Sequence, residues 1–357
     1  MKLLFLSSGR HVPTTRFRVL HLVPHLRRAG HECVVAHSFP EKYDYFPWMG
    51  FRPSQWLKRL VRYGHLLRVK FGRFDAVILE RELFHNDTWD MEQKLRRLVK
   101  TLVLDVDDGV FLNFPDKFPE LVRLSDLVIA GNRNLAEWVE PFNSHVVIIP
   151  TCVDIDCYRP ALNHDMNAGP PVVGWIGTAG NVSYLHEAAS ALSSLAKRYD
   201  FELRIVAGAR GALDELELPG VDVRFVKWNP DTEADEVARF DIGLMPLRDD
   251  EWSKYKCGLK LLQYMSCGIP SVASPVGVNV DIIEHGRNGY LASGADEWEE
   301  SLSHLLGDAA HRNQLGSAAR QTVEERYSIV ANLQAWVDAV AEACRRTGGQ
   351  PGSGKVW

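Results

Sequence analysis

Lys256-Cys-Gly-Leu-Lys-Leu-Leu-Gln-Tyr-Met-Ser-Cys-Gly-Ile-Pro-Ser-Val-Ala-Ser-Pro-Val-Gly-Val-Asn279 runs through one complete structural unit. A loop holding Gly258 feeds a short helix, expected over Lys260–Cys267. Gly268 and Pro270 end that helix and open a buried apolar strand, Ser271–Ala273. Ser274-Pro-Val-Gly277 then turns at the strand's C-terminal edge. A helix feeding a short buried strand is the building unit of a doubly wound α/β sheet. The start of such a helix has free N–H groups and the positive end of its dipole, which suit a diphosphate. Lys256 and Lys260 add full charges beside Gly258 and Leu259. Gln263 follows Lys260 by one turn on the same face and is expected to reach ribose hydroxyls. The same residues also read as a plain helix–strand connection with solvated lysines.

The unit repeats in both directions along the chain. In the first half, short Val-, Ile- and Leu-rich runs lie at Leu3–Leu6, Cys33–Ala36, Ala76–Leu79, Leu102–Leu104, Leu127–Ala130 and Val146–Ile149. Near-continuous apolar runs of this length are the mark of parallel strands covered on both faces. Helices are expected between them, as over Thr15–Ala29, which stops at Gly30. After the polar, Pro- and Asn-containing stretch 159–171 the rhythm restarts. Strands are expected at Val172–Ile176, Glu202–Ala207, Val221–Val226, Ile242–Met245, Ser271–Ala273 and Gly289–Leu291, with helices at Tyr184–Arg198 and Asp231–Arg239. Three helices, Glu297–Leu306, Ala309–Arg326 and Val330–Arg345, close the chain. The expected division is one Rossmann-like domain over 1–160 and a second over 161–328. A helix over 329–346 returns to the first, and a Gly-rich disordered tail covers 347–357.

Composition excludes several classes. The 357 residues suffice for two domains, and 46% hydrophobic with 24% charged residues is ordinary for a globular core. A net charge of −5 offers no basic field for nucleic acid. The six cysteines form no C-x-x-C pair, which argues against a zinc site or disulfide framework and fits a reducing compartment. The opening MKLLFLSSGR has too short an apolar run for a signal peptide, and no window reaches the ~20 apolar residues of a membrane span. The expected location is the cytoplasm or the inner face of the membrane. Trp56–Arg73 is basic, amphipathic and aromatic, and reads either as a helix resting on anionic lipid or as one packed on the first domain with a solvated basic face.

The run Leu261-Leu-Gln-Tyr-Met-Ser-Cys-Gly-Ile-Pro-Ser-Val-Ala-Ser274 resembles the donor-site helix and strand of glycosyltransferase family 4. Other stretches resemble that family in the same order: Ile149-Pro-Thr-Cys-Val-Asp154 with Arg159-Pro160, Val173–Asn181, Phe225-Val-Lys-Trp228, and Asp241-Ile-Gly-Leu-Met-Pro246. The resemblance implies a GT-B fold, two Rossmann-like domains facing each other across a cleft. It also implies transfer of a sugar from a nucleotide diphosphate donor with retention of configuration. On that resemblance Gly177, Thr178 and Asn181 of the glycine turn, Trp228 at a strand end, and Gly258, Leu259 and Gln263 would line the donor site. The family's paired glutamates fall here at Tyr255 and Gln263, neither acidic. No basic residue follows the glycine turn before Arg198, so Lys256 and Lys260 are expected to hold the phosphates and stabilise the leaving group.

In the first domain Gly9 and Arg10 follow the first strand and are candidates for the donor phosphate. Arg16 and Arg18 lie just beyond, and Glu80 and Arg81 end the third strand; all four are candidates for the acceptor side. Asp105-Val-Asp107-Asp108 ends the fourth strand, with Asp107 and Asp108 expected to position the acceptor hydroxyl. Asp105-Val-Asp107 also has the D-x-D form of metal-dependent transferases of another fold, which would leave the second Rossmann unit unexplained. Residues 349–355 resemble a P-loop but lack its closing Ser or Thr. No metal and no cofactor beyond the nucleotide sugar co-substrate are expected. A GT-B sugar-nucleotide epimerase or hydrolase, or a non-catalytic nucleotide-sugar-binding protein, fits the same features.

Overall fold

The computed structural model describes residues 1–161 and 169–348. They group into two compact units, Met1–Thr151 with the chain from Asn332 onward, and Cys152–Ala331.

The first unit is built on a six-stranded parallel sheet of spatial order β2-β1-β3-β4-β5-β6. Its strands are β1 (Lys2–Ser7), β2 (Glu32–His37), β3 (Ala76–Glu80), β4 (Leu102–Val106), β5 (Leu127–Ala130) and β6 (Val146–Ile148). Leu3, in the middle of the sheet, pairs with Cys33 on one side and Ala76 on the other. Leu3, Leu4, Val103, Leu104, Val128 and Ile129 are fully buried, as strands covered on both faces require. The connecting helices are α1 (Leu22–Arg28), α2 (Phe51–Gly72), α3 (Asp90–Leu98), α4 (Lys117–Leu124) and α5 (Arg133–Val139).

The single helix expected over Thr15–Ala29 divides into a wide π-type stretch, Thr15–Leu20, and α1. Pro24 has no N–H to donate and its ring opposes the carbonyl four residues back, which disfavours a continuous α-helix. The His21 N–H reaches the Arg16 carbonyl instead, at 2.9 Å. Gly30, at φ +87°, closes α1: its N–H bonds the Arg27 carbonyl and that of His31 the Leu26 carbonyl.

The second unit carries a parallel sheet of order β12-β11-β10-β7-β8-β9. Its strands are β7 (Val172–Gly177), β8 (Glu202–Ala207), β9 (Asp222–Lys227), β10 (Ile242–Met245), β11 (Ser271–Ala273) and β12 (Tyr290–Leu291). Its helices are α6 (His186–Leu195), α7 (Glu233–Val237), α8 (Glu251–Lys254), α9 (Leu259–Ser266), α10 (Asn279–Ile282), α11 (Gly294–Gly307) and α12 (Ala309–Thr322). Trp175, Leu192, Ile205, Leu244, Trp298 and Leu302 form its core. The helix expected at Tyr184–Arg198 begins as a 3-10 stretch, Ala179–Leu185, before α6.

The division falls at 151–152 rather than at 160, because the residues after Thr151 pack on the second unit. Val153 bridges Ser328, and the Tyr158 hydroxyl donates to Glu233 at 2.9 Å. The last helix, α13 (Ile329–Gly348), joins the first unit from Asn332, where Trp336 stacks on Phe5 at 6.0 Å between centroids. The expected tail beyond residue 348 and its P-loop-like run lie outside the described residues, as does most of the stretch 159–171. Among the described residues no helix is long and apolar enough to cross a membrane.

Candidate functional site

The C-terminal edge of the second sheet gathers the features read from the 256–279 segment. β7 ends at Gly177, where a Cβ would lie 2.6 Å from the Trp175 ring and 2.9 Å from Lys260 Cε. A side chain there would first meet the Trp175 ring, and the Lys260 stem passes close beside the strand end. The Lys260 ammonium sits 5.4 Å from the Trp175 ring centroid, held by the ring's negative face. Gly258 caps α9 at φ +66°, and a Cβ there would lie 2.6 Å from Ile282 and 3.2 Å from Val278. The start of α9 therefore abuts the turn that follows β11. In that turn the Asn279 amide donates to the Ser274 carbonyl at 3.0 Å, while Asn279 Oδ1 is buried without a partner.

Lys256 stands 5.8 Å from the Tyr184 ring and 5.7 Å from Trp252. Arg248, just beyond β10, borders the same tyrosine at 5.8 Å and donates to the Ser183 carbonyl at 3.4 Å. Thr178 is exposed at the head of the glycine turn, and its carbonyl accepts the Asn181 N–H at 2.9 Å. Gly211, at φ +57°, comes so close to the Ala179 carbonyl that a Cβ would lie 2.5 Å away, so the loops after β7 and β8 touch. Half-buried Lys256 and Lys260, the N–H groups opening α9 and the glycine turn thus share one sheet edge.

Trp228 directly follows the end of β9, and Gln263 faces inward from α9. Gln263 is 3% exposed, and its amide donates to Glu233 at 2.6 Å and to the Tyr158 hydroxyl at 3.0 Å. Glu233 also accepts the Trp228 indole N–H at 3.0 Å. Three residues apart on a helix shares a broad face, yet Gln263 turns into the core, where a carboxylate waits for its amide. The Gln263 amide, expected to reach ribose, is bonded here to Glu233 and Tyr158; Glu233 is the hub of a largely buried polar network that sequence spacing did not reveal.

The C-terminal edge of the first sheet is dense with charge. Asp105 is buried and held two-pronged by Arg18, Nε at 2.8 Å and Nη2 at 3.0 Å; Arg18 also donates to the Ile149 carbonyl. Arg18, expected on the acceptor side, is thus a buried clamp joining β4 to the end of β6. Arg81, at φ +57° a non-glycine in the left-handed region, donates to Asp107 at 2.6 Å and pairs with Asp108 at 3.6 Å. Burial would push the Asp107 carboxyl up, but the Arg81 charge outweighs it and holds it below the usual range. Asp108 is the more exposed of the two, its Oδ1 accepting the Gly109 N–H at 3.0 Å.

Glu80 is buried and accepts from Thr15 Oγ1 at 2.5 Å and the Ser8 N–H at 3.3 Å. Its pKa is raised by burial, with Lys42 pulling the other way. Gly9 is closely covered by the Glu41 side chain, Arg10 is exposed and Arg16 is half-buried against Phe17. Sequence reading missed Lys42, which pairs with Glu82 at 3.2 Å with both side chains fully buried.

Residues 170–308 match the family described as "Glycosyl transferases group 1". Over 207 residues the chain is 30% identical to a D-inositol 3-phosphate glycosyltransferase of Arthrobacter sp. (strain FB24), covering 52% of this chain and 48% of that relative. The chain spans about half the length of such curated relatives. Two solved structures share its fold over 96% of this chain and 100% of theirs, at 16% identity. They are sucrose-phosphate synthase from Thermosynechococcus elongatus (TM-score 0.70) and Anabaena HepE in complex with UDP (TM-score 0.67). The fold is GT-B, and the match to the group 1 glycosyl transferase model lies within its second unit.

Within this GT-B chain the matched segment spans β7 to α11 and so contains Gly177, Arg248, Lys256, Lys260 and Gln263. Arg248 and Trp252 went unread in the sequence, and Trp175 and Tyr184 were read only as parts of a strand and of a helix start. Arg248 carried one usable signal: it follows the Asp241–Pro246 run and so sits at a strand's C-terminal edge, where open α/β sheets bind ligands. Tyr184 carried another, as it follows the glycine turn. Neither tryptophan was distinguishable from a core residue before folding.

Proposed function

We propose that this protein is a glycosyltransferase that binds a nucleoside diphosphate sugar at the C-terminal edge of the second sheet and transfers the sugar, with retention, to an acceptor hydroxyl. The observation that carries this reading is the convergence of Lys260, the glycine turn at Gly177 and the Gly258-capped start of α9. The diphosphate lies against the N–H groups at the start of α9 and between Lys260 and Lys256. When the bond from the anomeric carbon to the β-phosphate oxygen breaks, negative charge builds on the leaving diphosphate. The two ammonium groups and the helix start neutralise it in place, without solvent reorganisation. In this reading the chain's own cations do the work that a divalent metal does in other transferases.

UDP is the first nucleotide to test, since HepE is a structural neighbour solved with UDP. Asp108, more exposed than Asp107, is proposed to hold the acceptor hydroxyl, with Arg81 fixing both carboxylates in position. Gln263, Glu233 and Trp228 act as a buried brace behind α9 rather than as sugar ligands.

The experiment is a melting panel with UDP, GDP, ADP, CMP and dTDP, each with and without Mg²⁺. A ligand at about 100-fold over its Kd adds about 2.7 kcal/mol to stability. One nucleoside diphosphate raising the melting temperature equally in both conditions supports the reading. No shift with any of them, nor with the corresponding sugar nucleotides, refutes it.

A further inference from the structure

Helix α2 turns a polar stripe inward over its first half. That stripe is Ser54, Lys58 and Arg62, all essentially buried, and the apolar Leu66 and Val69 continue the buried face beyond it. The Lys58 ammonium donates to the Lys42 carbonyl at 2.8 Å and the Asp44 carbonyl at 3.1 Å, and Arg62 donates to the Ser7 carbonyl at 2.9 Å. Polar pegs therefore fasten much of this helix to its unit. A second set of apolar side chains lies outside: Trp56, Leu60, Tyr63, Leu67 and Phe71 follow one another at spacings of four, three, four and four, which is one side of a helix. Trp56 is 64% and Phe71 73% exposed. Beside the start of the helix the Tyr45 ring meets Phe51 at 6.0 Å, and Trp48 is 79% exposed. Among the described residues, ten of the fourteen exposed large apolar side chains fall between Phe39 and Phe71. Such a concentration in one stretch of the chain is not the scatter normal for a surface.

Charge says what covers it. Arg52, Arg59, Arg68, Lys70 and Arg73 are exposed along the same helix and its cap, and 51–73 contains no Asp or Glu, in a chain of net charge −5. We propose that the outward face of α2 docks on a membrane surface rich in anionic lipid. The helix lies in the interface plane, apolar side down, with its cations among the headgroups. At 22 residues it offers a footprint about 33 Å long. Trp48, Trp56 and Tyr63 suit the headgroup boundary, where an amphipathic ring has one end dry and one end wet. A second copy of the chain fits less well, because a symmetric contact would bring matching rows of cations together.

The test is flotation of the full chain with vesicles of phosphatidylcholine alone or containing about 30% phosphatidylglycerol. The protein should float with the anionic vesicles only, and less so as salt rises. Trp56→Glu with Leu67→Glu should lower partitioning at least about tenfold. Arg59→Gln and Lys70→Gln should each lower it about fivefold. All three variants change exposed groups, so their melting temperatures and their nucleotide-induced melting shifts should match the parent. That control separates failure of the membrane proposal from failure of the donor-site reading. Absence of flotation with anionic vesicles overturns the proposal, as does undiminished flotation of the double Glu variant. A concentration-dependent dimer abolished by that variant overturns it in favour of self-association.

Discussion

Lys260→Ala tests the donor site most directly. In the structure the Lys260 stem passes over Gly177 and its ammonium rests 5.4 Å from the Trp175 centroid, half-buried at the edge of β7. A unit charge 4 Å from a phosphate oxygen attracts it by about 4 kcal/mol at an effective dielectric of 20. The desolvation of both partners consumes part of this, leaving the ~1.5–3 kcal/mol typical of a charge-assisted hydrogen bond. Loss of the ammonium should therefore weaken nucleoside diphosphate binding by roughly 10- to 150-fold. The nucleoside monophosphate should lose less, because the second phosphate is what the charge serves. Calorimetric titration of parent, Lys260→Ala and Lys260→Arg with the nucleotide identified by melting would measure this. Arg keeps the charge and should recover part of the affinity, though the space over Gly177 limits its fork. Affinity of Lys260→Ala within twofold of the parent would refute the phosphate role.

Gly258→Ala should cost about 1–2 kcal/mol for the left-handed backbone, with more from the clash against Ile282, and should weaken nucleotide binding; urea unfolding and titration read the two effects separately. Glu82→Gln should destabilise the protein by about 3–5 kcal/mol, because Lys42 is left charged and fully buried, whereas Glu82→Leu with Lys42→Met should cost much less. Burial alone would raise the Glu82 carboxyl, but Lys42 outweighs it and holds it at about 2, below its ordinary 4.5. Its stabilisation is complete above pH 4.5 and is lost as pH falls through about 2. Melting followed over that range should show the loss in the parent and not in Glu82→Gln. Glu233→Leu should cost roughly 3 kcal/mol by stranding the donors of Tyr158, Gln263 and Trp228. Excess EDTA should leave sugar transfer unchanged, and activity restored only by added Mn²⁺ or Mg²⁺ would count against leaving-group stabilisation by lysine.

Most strands were legible to within a residue or two. Leu127–Ala130, Glu202–Ala207, Ile242–Met245 and Ser271–Ala273 appear at the bounds that their apolar runs predicted. Strands sandwiched between helices must be apolar on both faces, so they write themselves as short unbroken runs. Helix ends were less legible. Pro24 divides the Thr15–Ala29 stretch and the glycine turn prolongs itself as a 3-10 stretch before α6, because backbone hydrogen bonding near a proline or a tight loop depends on which carbonyls remain open.

By itself the sequence determined the doubly wound rhythm, the helix start after Gly258, and the presence of Lys256 and Lys260 beside it. These are local facts, carried by residues a few positions apart. Tertiary structure alone decided which charges meet. Arg18 meets Asp105 across 87 positions, Gln263 meets Glu233 across 30, and Lys42 meets Glu82 across 40. A parallel sheet brings the C-terminal ends of distant strands together, and partner choice there depends on strand order and burial, which periodicity does not encode. For the same reason α2 read only as basic and amphipathic. The first half of its inward face turned out to be polar, because the carbonyls of Ser7, Lys42 and Asp44 lie where Arg62 and Lys58 can reach them.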